Sequence, residues 1–246
     1  MTQVSETDTA RWQALTHAED RALTLFDAIE AAGIVAPGRS EAEVDADITA
    51  LALEKFGIER HWHRCNVRAG ANTVTTFHDN PPVRVIQPED TVYVDLGPVF
   101  EAWEADVGRT YAVGQDAAKR ALVAALPVVF EAVRARWLAA PDMTGADLYA
   151  LACETAAAHG YHFGGAIAGH IVGEFPHAVW PGDKDHSRIS PANSTRLTDP
   201  DHLGRPRHWI LEIHLLEPGR QWGGFYERLL RESGAPAECD FKRSES

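Results

Sequence analysis

The chain has 246 residues, 45% of them hydrophobic and seven of them Trp, which is enough apolar material for one large domain or two small ones with a sizeable core. Its formal net charge is −13 at pH 7 and no run of Lys or Arg interrupts the acids, so nucleic acid and anionic membrane are poor partners. Three cysteines, Cys65, Cys153 and Cys239, lie far apart without a CxxC pair, which fits thiols of a reducing compartment and not a disulfide frame. The opening MTQVSETDTARWQ is polar and acidic, unlike a signal peptide, and no apolar run approaches the length of a membrane span. The expectation is a cytoplasmic protein.

In chain order, apolar residues at Trp12, Leu15, Leu23, Phe26 and Ile29 predict an amphipathic helix over 9–34 that stops near Gly33 and Pro37. Ser40 and Glu43 form a capping box at the head of a second helix, SEAEVDADITALALEKFG. Residues 61–77 alternate as one or two strands broken at Gly70, with His61 and His63 assigned to a solvated face or an oligomer contact. FHDNPPVRVIQPED reads as a proline-bearing loop leading into a hairpin, TVYVDLG followed by FEAWEADVGRTYAV. A long helix from about Asp116 to Leu138 follows, with Pro127 as a point of kinking or breakage. Another helix, GADLYALACETAAAHG, ends at a glycine cap. The glycine-rich GYHFGGAIAGHIVGEFPH is expected to wrap a site, and 181–206 is a polar loop long enough to be functional or mobile. Two strands, HWILEIHLLEP and GGFYERLL, and a short polar tail complete the chain.

The chemistry gathers around the hairpin. Asp95 and Asp106 lie eleven residues apart across it, so both can face one pocket. Asp is depleted in strands, and a buried carboxylate is costly unless paired; a cation pairs both. Downstream, GHIVGEFPH carries His170 and His177, and the last two strands carry Glu212 and Glu227. No GxSxG elbow, phosphate loop or strand-linked GxGxxG is present.

The ordered set of Asp95, Asp106, His170 in a GH-x-x-G turn, Glu212 and Glu227 resembles the pita-bread metallohydrolases, the family of methionine aminopeptidase, aminopeptidase P, prolidase and creatinase. The resemblance spans roughly residues 15–235. It implies an α+β pita-bread fold of pseudo-twofold layout, with an antiparallel sheet flanked by helices. It also implies a single catalytic domain over 1–246 without a separate creatinase-type N-terminal domain. The implied cofactors are two divalent metal ions held by Asp95, Asp106, His170, Glu212 and Glu227. Four carboxylates match the charge of two cations, and an oxygen-rich set with one imidazole suits Mn, Co, Fe or Zn, with Mn favoured.

The implied activity is metallopeptidase hydrolysis of an N-terminal, Xaa-Pro-like peptide bond by a metal-bridging hydroxide. By the same resemblance Glu227 or its partner Glu212, the latter chosen as catalytic, is the candidate proton acceptor, and His177 and His78 are the candidate substrate-facing histidines. Glu217, in LLEPG, competes for the fourth ligand place. Glu212 is chosen because it stands fifteen residues before Glu227, against ten for Glu217, and because it lies within an apolar run. The chain departs from the family wording in carrying Ile213 where Pro is usual. Thr110 matches a supporting Thr of the pattern, and His214 is left as a packed or partly exposed residue. The expected partners are a small peptide or a small-molecule amide, with no nucleic acid and no membrane, and a homodimer stays open. The alternatives are a creatinase-like hydrolase of a small non-peptide C–N substrate, and a pita-bread binding module without catalysis.

Overall fold

The computed structural model of the chain describes residues 6–177 and 184–231. Two helices open it, α1 (Glu6–Ala31) and α2 (Glu41–Phe56). The Ser40–Glu43 capping box forms, with the Glu43 N–H donating to Ser40 Oγ and the Ser40 N–H to Glu43 Oε2, and Gly57 closes the helix at φ +64°. Strand β1 (His61–Ala69) follows, then β2 (Thr91–Phe100), the short β3 (Trp103–Glu104) and β4 (Val107–Ala112). The second half repeats the plan with α3 (Ala117–Ala139), α4 (Gly145–Ala158), the short β5 (His162–Phe163) and β6 (Ile171–Val172), then β7 (His208–Leu216) and β8 (Gly223–Leu229).

All pairings between these strands are antiparallel, in the order β1-β2-β4-β8-β7-β5, with β3 on β2 and β6 on β7. The two halves meet at β4 and β8. One core cluster packs Leu25, Phe26, Ile29, Val44 and Ile48 of α1 and α2 under Val92, Val94 and Leu96 of β2. The other packs Leu122, Leu126, Val129 and Leu148 of α3 and α4 under Leu211, Ile213 and Leu215 of β7. Strand periodicity then decides what faces the other way. Asp95, Glu212 and Glu227 alternate with core residues, so their side chains leave the sheet on the face opposite the helices.

Of the one or two strands expected over 61–77, one forms, and it ends before Gly70, which at φ +51° turns the chain into a 3₁₀ segment over Gly70–Val74, where the Thr73 hydroxyl donates to Gly70 O. Pro127 neither breaks nor ends α3, which continues through it because its apolar face is held against β7 and β8. Of the 181–206 loop, 181–183 lie outside the described residues, as do Cys239 and the polar tail. The remainder forms a short 3₁₀ turn at Asp185–Ser187 and a series of turns. No helix among the described residues is long and apolar enough to cross a membrane.

Candidate metal centre

A single row of paired residues crosses the sheet. Asn66 of β1 is opposite Asp95 of β2, Asp95 opposite Gly108 of β4, Gly108 opposite Glu227 of β8, and Glu227 opposite Glu212 of β7. Neighbouring strands lie roughly 4.8 Å apart, so this register alone brings three carboxylates together. Gly108 is the gap that lets them converge: a Cβ there would meet the Phe225 ring at 2.7 Å and Glu227 Cβ at 3.0 Å. Thr110 locks the two halves beside it, donating its hydroxyl to Phe225 O and accepting the Phe225 N–H, both at 2.7 Å.

Asp106 precedes β4 and is bracketed by two imidazoles. His170 Nε2 lies 2.9 Å from its Oδ2, and His63 Nε2 lies 3.0 Å from its Oδ1. His170 also stands 3.7 Å from Glu212 Oε1 and 3.8 Å from Glu227 Oε1, and His63 stands 3.5 Å from Asp95 Oδ1. The glycine of the GH turn explains how His170 gets there. Gly169 has φ +139°, and a Cβ on it would strike Ile210 O of β7 at 2.0 Å. The donor atoms fall into two groups that share Asp106, one formed with His63 and Asp95 and the other with His170 and Glu227.

Burial drives the electrostatics. Asp95 and Glu212 are each pushed up to about 7, first by burial, with the charges of neighbouring carboxylates adding to it and the imidazoles opposing it. Glu227 is held well above the usual range by burial and then by Asp106, Asp95 and Glu212. Asp106 is also pushed up by burial, but the adjacent His63 and His170 outweigh this and hold it down at about 2. Burial opposes the charged form of both histidines, yet the carboxylates around them raise each to about 9. Three buried carboxylates and the half-buried Glu212 thus face two imidazoles, an excess of negative charge that divalent cations compensate. The donor set therefore fits metal.

His177 presents its ring to the same pocket and is held from behind. Its Nδ1 is 2.7 Å from Oε2 of buried Glu104, which also accepts the N–H of His177 at 3.0 Å and of Gly173 at 3.2 Å. Trp62 lies edge-on to His63, His170 and His177, with ring centroids 4.5, 5.1 and 5.5 Å away. His78 is on the rim, edge-to-face with Phe77 at 5.6 Å, and is exposed instead of standing among the carboxylates. Glu217 is at the β7–β8 turn, where it accepts the N–H groups of Gly219 and Gln221. The imidazole of His214 is buried at the pocket wall, with Nε2 2.7 Å from Thr73 O. The cavity over this floor has a volume of about 390 Å³, with Phe77, Tyr93, Ile167 and Phe225 supplying apolar wall and Lys184 and Arg188 also lining it.

Two contributors escape a reading of the sequence. His63, expected on a solvated face or an oligomer contact, has a side chain only 9% exposed and meets Asp95 and Asp106. The cause is a pair of irregularities in β1: His61, His63 and Asn66 oppose Pro98, Gly97 and Asp95, so strict alternation fails. Gly97, in the DLG run, was the available signal, since a strand glycine marks a bulge or a close approach. Glu104 carried no signal, because its hydrogen bond to His177 spans 73 residues.

An antiparallel sheet backed by two helix pairs, with a carboxylate row and imidazoles on its free face, defines the pita-bread class of fold with a candidate dinuclear floor. A family model described as metallopeptidase family M24 matches residues 13–201, and the chain belongs to that family. The match ends before Glu212 and Glu227, which the strand register adds. No curated protein sequence matches the chain.

Among solved structures, the chain is similar to a dipeptidase from Pyrococcus horikoshii, at 19% identity and a TM-score of 0.68 over 94% of this chain and 62% of that one. It is similar to an X-Pro aminopeptidase from Thermotoga maritima, at 20% identity and 0.67 over 91% and 61%. It is also similar to a methionine aminopeptidase from Thermotoga maritima, at 17% identity and 0.64 over 93% and 94%. The chain thus spans about three-fifths of the first two proteins and nearly all of the third.

Proposed function

We propose that the chain is a dinuclear metal-dependent hydrolase that removes the N-terminal residue of a short, Xaa-Pro-like peptide. The observation that carries this is Asp106, whose two carboxylate oxygens face two separate groups of donors on the floor of one pocket. Asp95, Asp106, His170, Glu212 and Glu227 would hold the ions, for which manganese suits the oxygen-rich set. The chemistry they would supply there is an acidified water and a polarised carbonyl.

The chain's own residues supply the rest. Glu212 accepts the proton given up by the attacking water. His177, its Nδ1–H held by Glu104, turns Nε2 to the scissile amide, where the free lone pair shuttles a proton. His78 stands at the rim as a further contact for bound peptide. Lys184 and Arg188 suit the C-terminal carboxylate of a substrate only two or three residues long, which is what a cavity of about 390 Å³ admits. The reading takes residues of about 15–235 as one catalytic unit, at work in a reducing, cytoplasmic setting.

The test is a mixed short-peptide pool, with and without proline at the second position, incubated with protein and Mn and read by mass spectrometry against a chelated control. Chelator-sensitive loss of one N-terminal residue, faster before proline, is the expected result. Intact peptides from protein shown to hold metal would refute it. Cleavage of a small non-peptide amide or amidine would then support the second reading, which the same floor and cavity size also favour.

A further inference from the structure

The ligand set proposed above contains one imidazole, that of His170. We propose that His63 is a second imidazole donor, so that each of the two ion positions sharing Asp106 carries one histidine. This deepens the dinuclear reading and rests on it.

The two histidines are placed alike. Each directs Nε2 at Asp106 from an opposite side, His63 at Oδ1 and His170 at Oδ2. Each also has Nδ1 at hydrogen-bond distance from the carbonyl of the next residue, 2.7 Å to Arg64 O for His63 and 2.8 Å to Ile171 O for His170. An Nδ1–H donated to a carbonyl fixes the tautomer and leaves the Nε2 lone pair aimed outward, which is the arrangement metal-binding histidines adopt. With Asp95 Oδ1 at 3.5 Å, His63 therefore completes a nitrogen-and-carboxylate group that mirrors His170 and Glu227.

The surroundings of the ring are built for it. Its place over β2 exists because residue 97 is glycine: a Cβ there would meet His63 Cδ2 at 2.2 Å and Nε2 at 2.4 Å. Trp62 and Phe77 hold it edge-on at 4.5 and 5.3 Å. The competing reading is a structural ion pair, in which Nε2 keeps its proton and bridges Asp95 to Asp106 without touching metal. The two readings differ in what they predict for bound ions.

The test uses Mn(II) and the whole chain, comparing wild type, His63→Gln, His170→Gln and the double variant. Binding is followed by calorimetry and imidazole nitrogen by pulsed EPR. In wild type two ions bind. His63→Gln weakens one of them by about tenfold or more and leaves the other unchanged, and His170→Gln does the reverse. Nitrogen modulation persists in either single variant and vanishes in the double variant.

If modulation vanishes in His170→Gln alone, or if folded His63→Gln binds both ions as wild type does, His63 is no ligand. The His170→Gln arm leaves residue 63 intact, so it decides the matter even if His63→Gln fails to fold. A wild-type chain that binds no Mn(II) overturns the metal centre itself, whereas metal binding without peptide cleavage overturns only the peptidase reading.

Discussion

Replacing Glu104 by Gln separates the orientation of His177 from the binding of metal. The Glu104 carboxylate takes three hydrogen bonds, from His177 Nδ1 at 2.7 Å, His177 N at 3.0 Å and Gly173 N at 3.2 Å. A glutamine keeps the shape but offers one oxygen, so its NH₂ must face at least one of those donors. The residue is 2% exposed, and water does not take up the lost bond easily. Losing one hydrogen bond to a charged, buried group costs about 1.5–3 kcal/mol. At roughly 2–4 °C per kcal/mol for a chain of this size, the melting temperature falls by about 3–12 °C.

The functional effect should be larger in kcat than in metal affinity. His177 loses the acceptor that fixes its tautomer, and misplacing a group that meets the reacting amide costs about 10²-fold. Glu104 itself touches none of the four carboxylates through the bonds it makes. The assays are calorimetric Mn titration, thermal unfolding and turnover on the best peptide from the pool. A Glu104→Gln chain with wild-type kcat, or one that loses metal in step with activity, would refute the positioning role.

Gly108→Ala pushes a Cβ into the Phe225 ring and against Glu227 Cβ. It should destabilise the chain by about 1–3 kcal/mol and weaken metal binding as well, and a variant with wild-type melting temperature and Mn affinity would contradict the register argument. Asp106→Ala removes the carboxylate common to both donor groups, so calorimetry should show both binding events lost and turnover gone, not one event and half the rate. Chelated protein should lose stability as pH rises from 6 to 9. In the folded chain Asp95 and Glu212 titrate at about 7 and His63 and His170 at about 9, all above their unfolded values, so the folded state holds more protons and each loss destabilises it. Added Mn should restore the melting temperature most at the alkaline end, and a chelated chain equally stable at pH 6 and 9 would refute this.

Local chemistry made much of this legible in the sequence. The Ser40–Glu43 capping box, the glycine cap after α4, helical spacing and the apolar runs around Asp95 and Glu212 each depend on residues within a few positions of one another, so α2, α4, β2 and β7 could be read directly. The choice between Glu212 and Glu217 could be argued from spacing because a strand, a turn and a strand need a minimum length. The structure puts Glu212 in the carboxylate row and Glu217 at the turn. What escaped depends on pairings between distant segments or on broken alternation. His63 faces the floor only because β1 is irregular against β2, a property of two strands 30 residues apart that no single window contains. Glu104 and His177 are linked only after β3 and the segment following His170 have met, where Glu174 bridges Trp103. The candidate ligands were visible as types in order. The residues that aim them are a product of register, and they are where variants will best tell a positioned site from a mere collection of ligands.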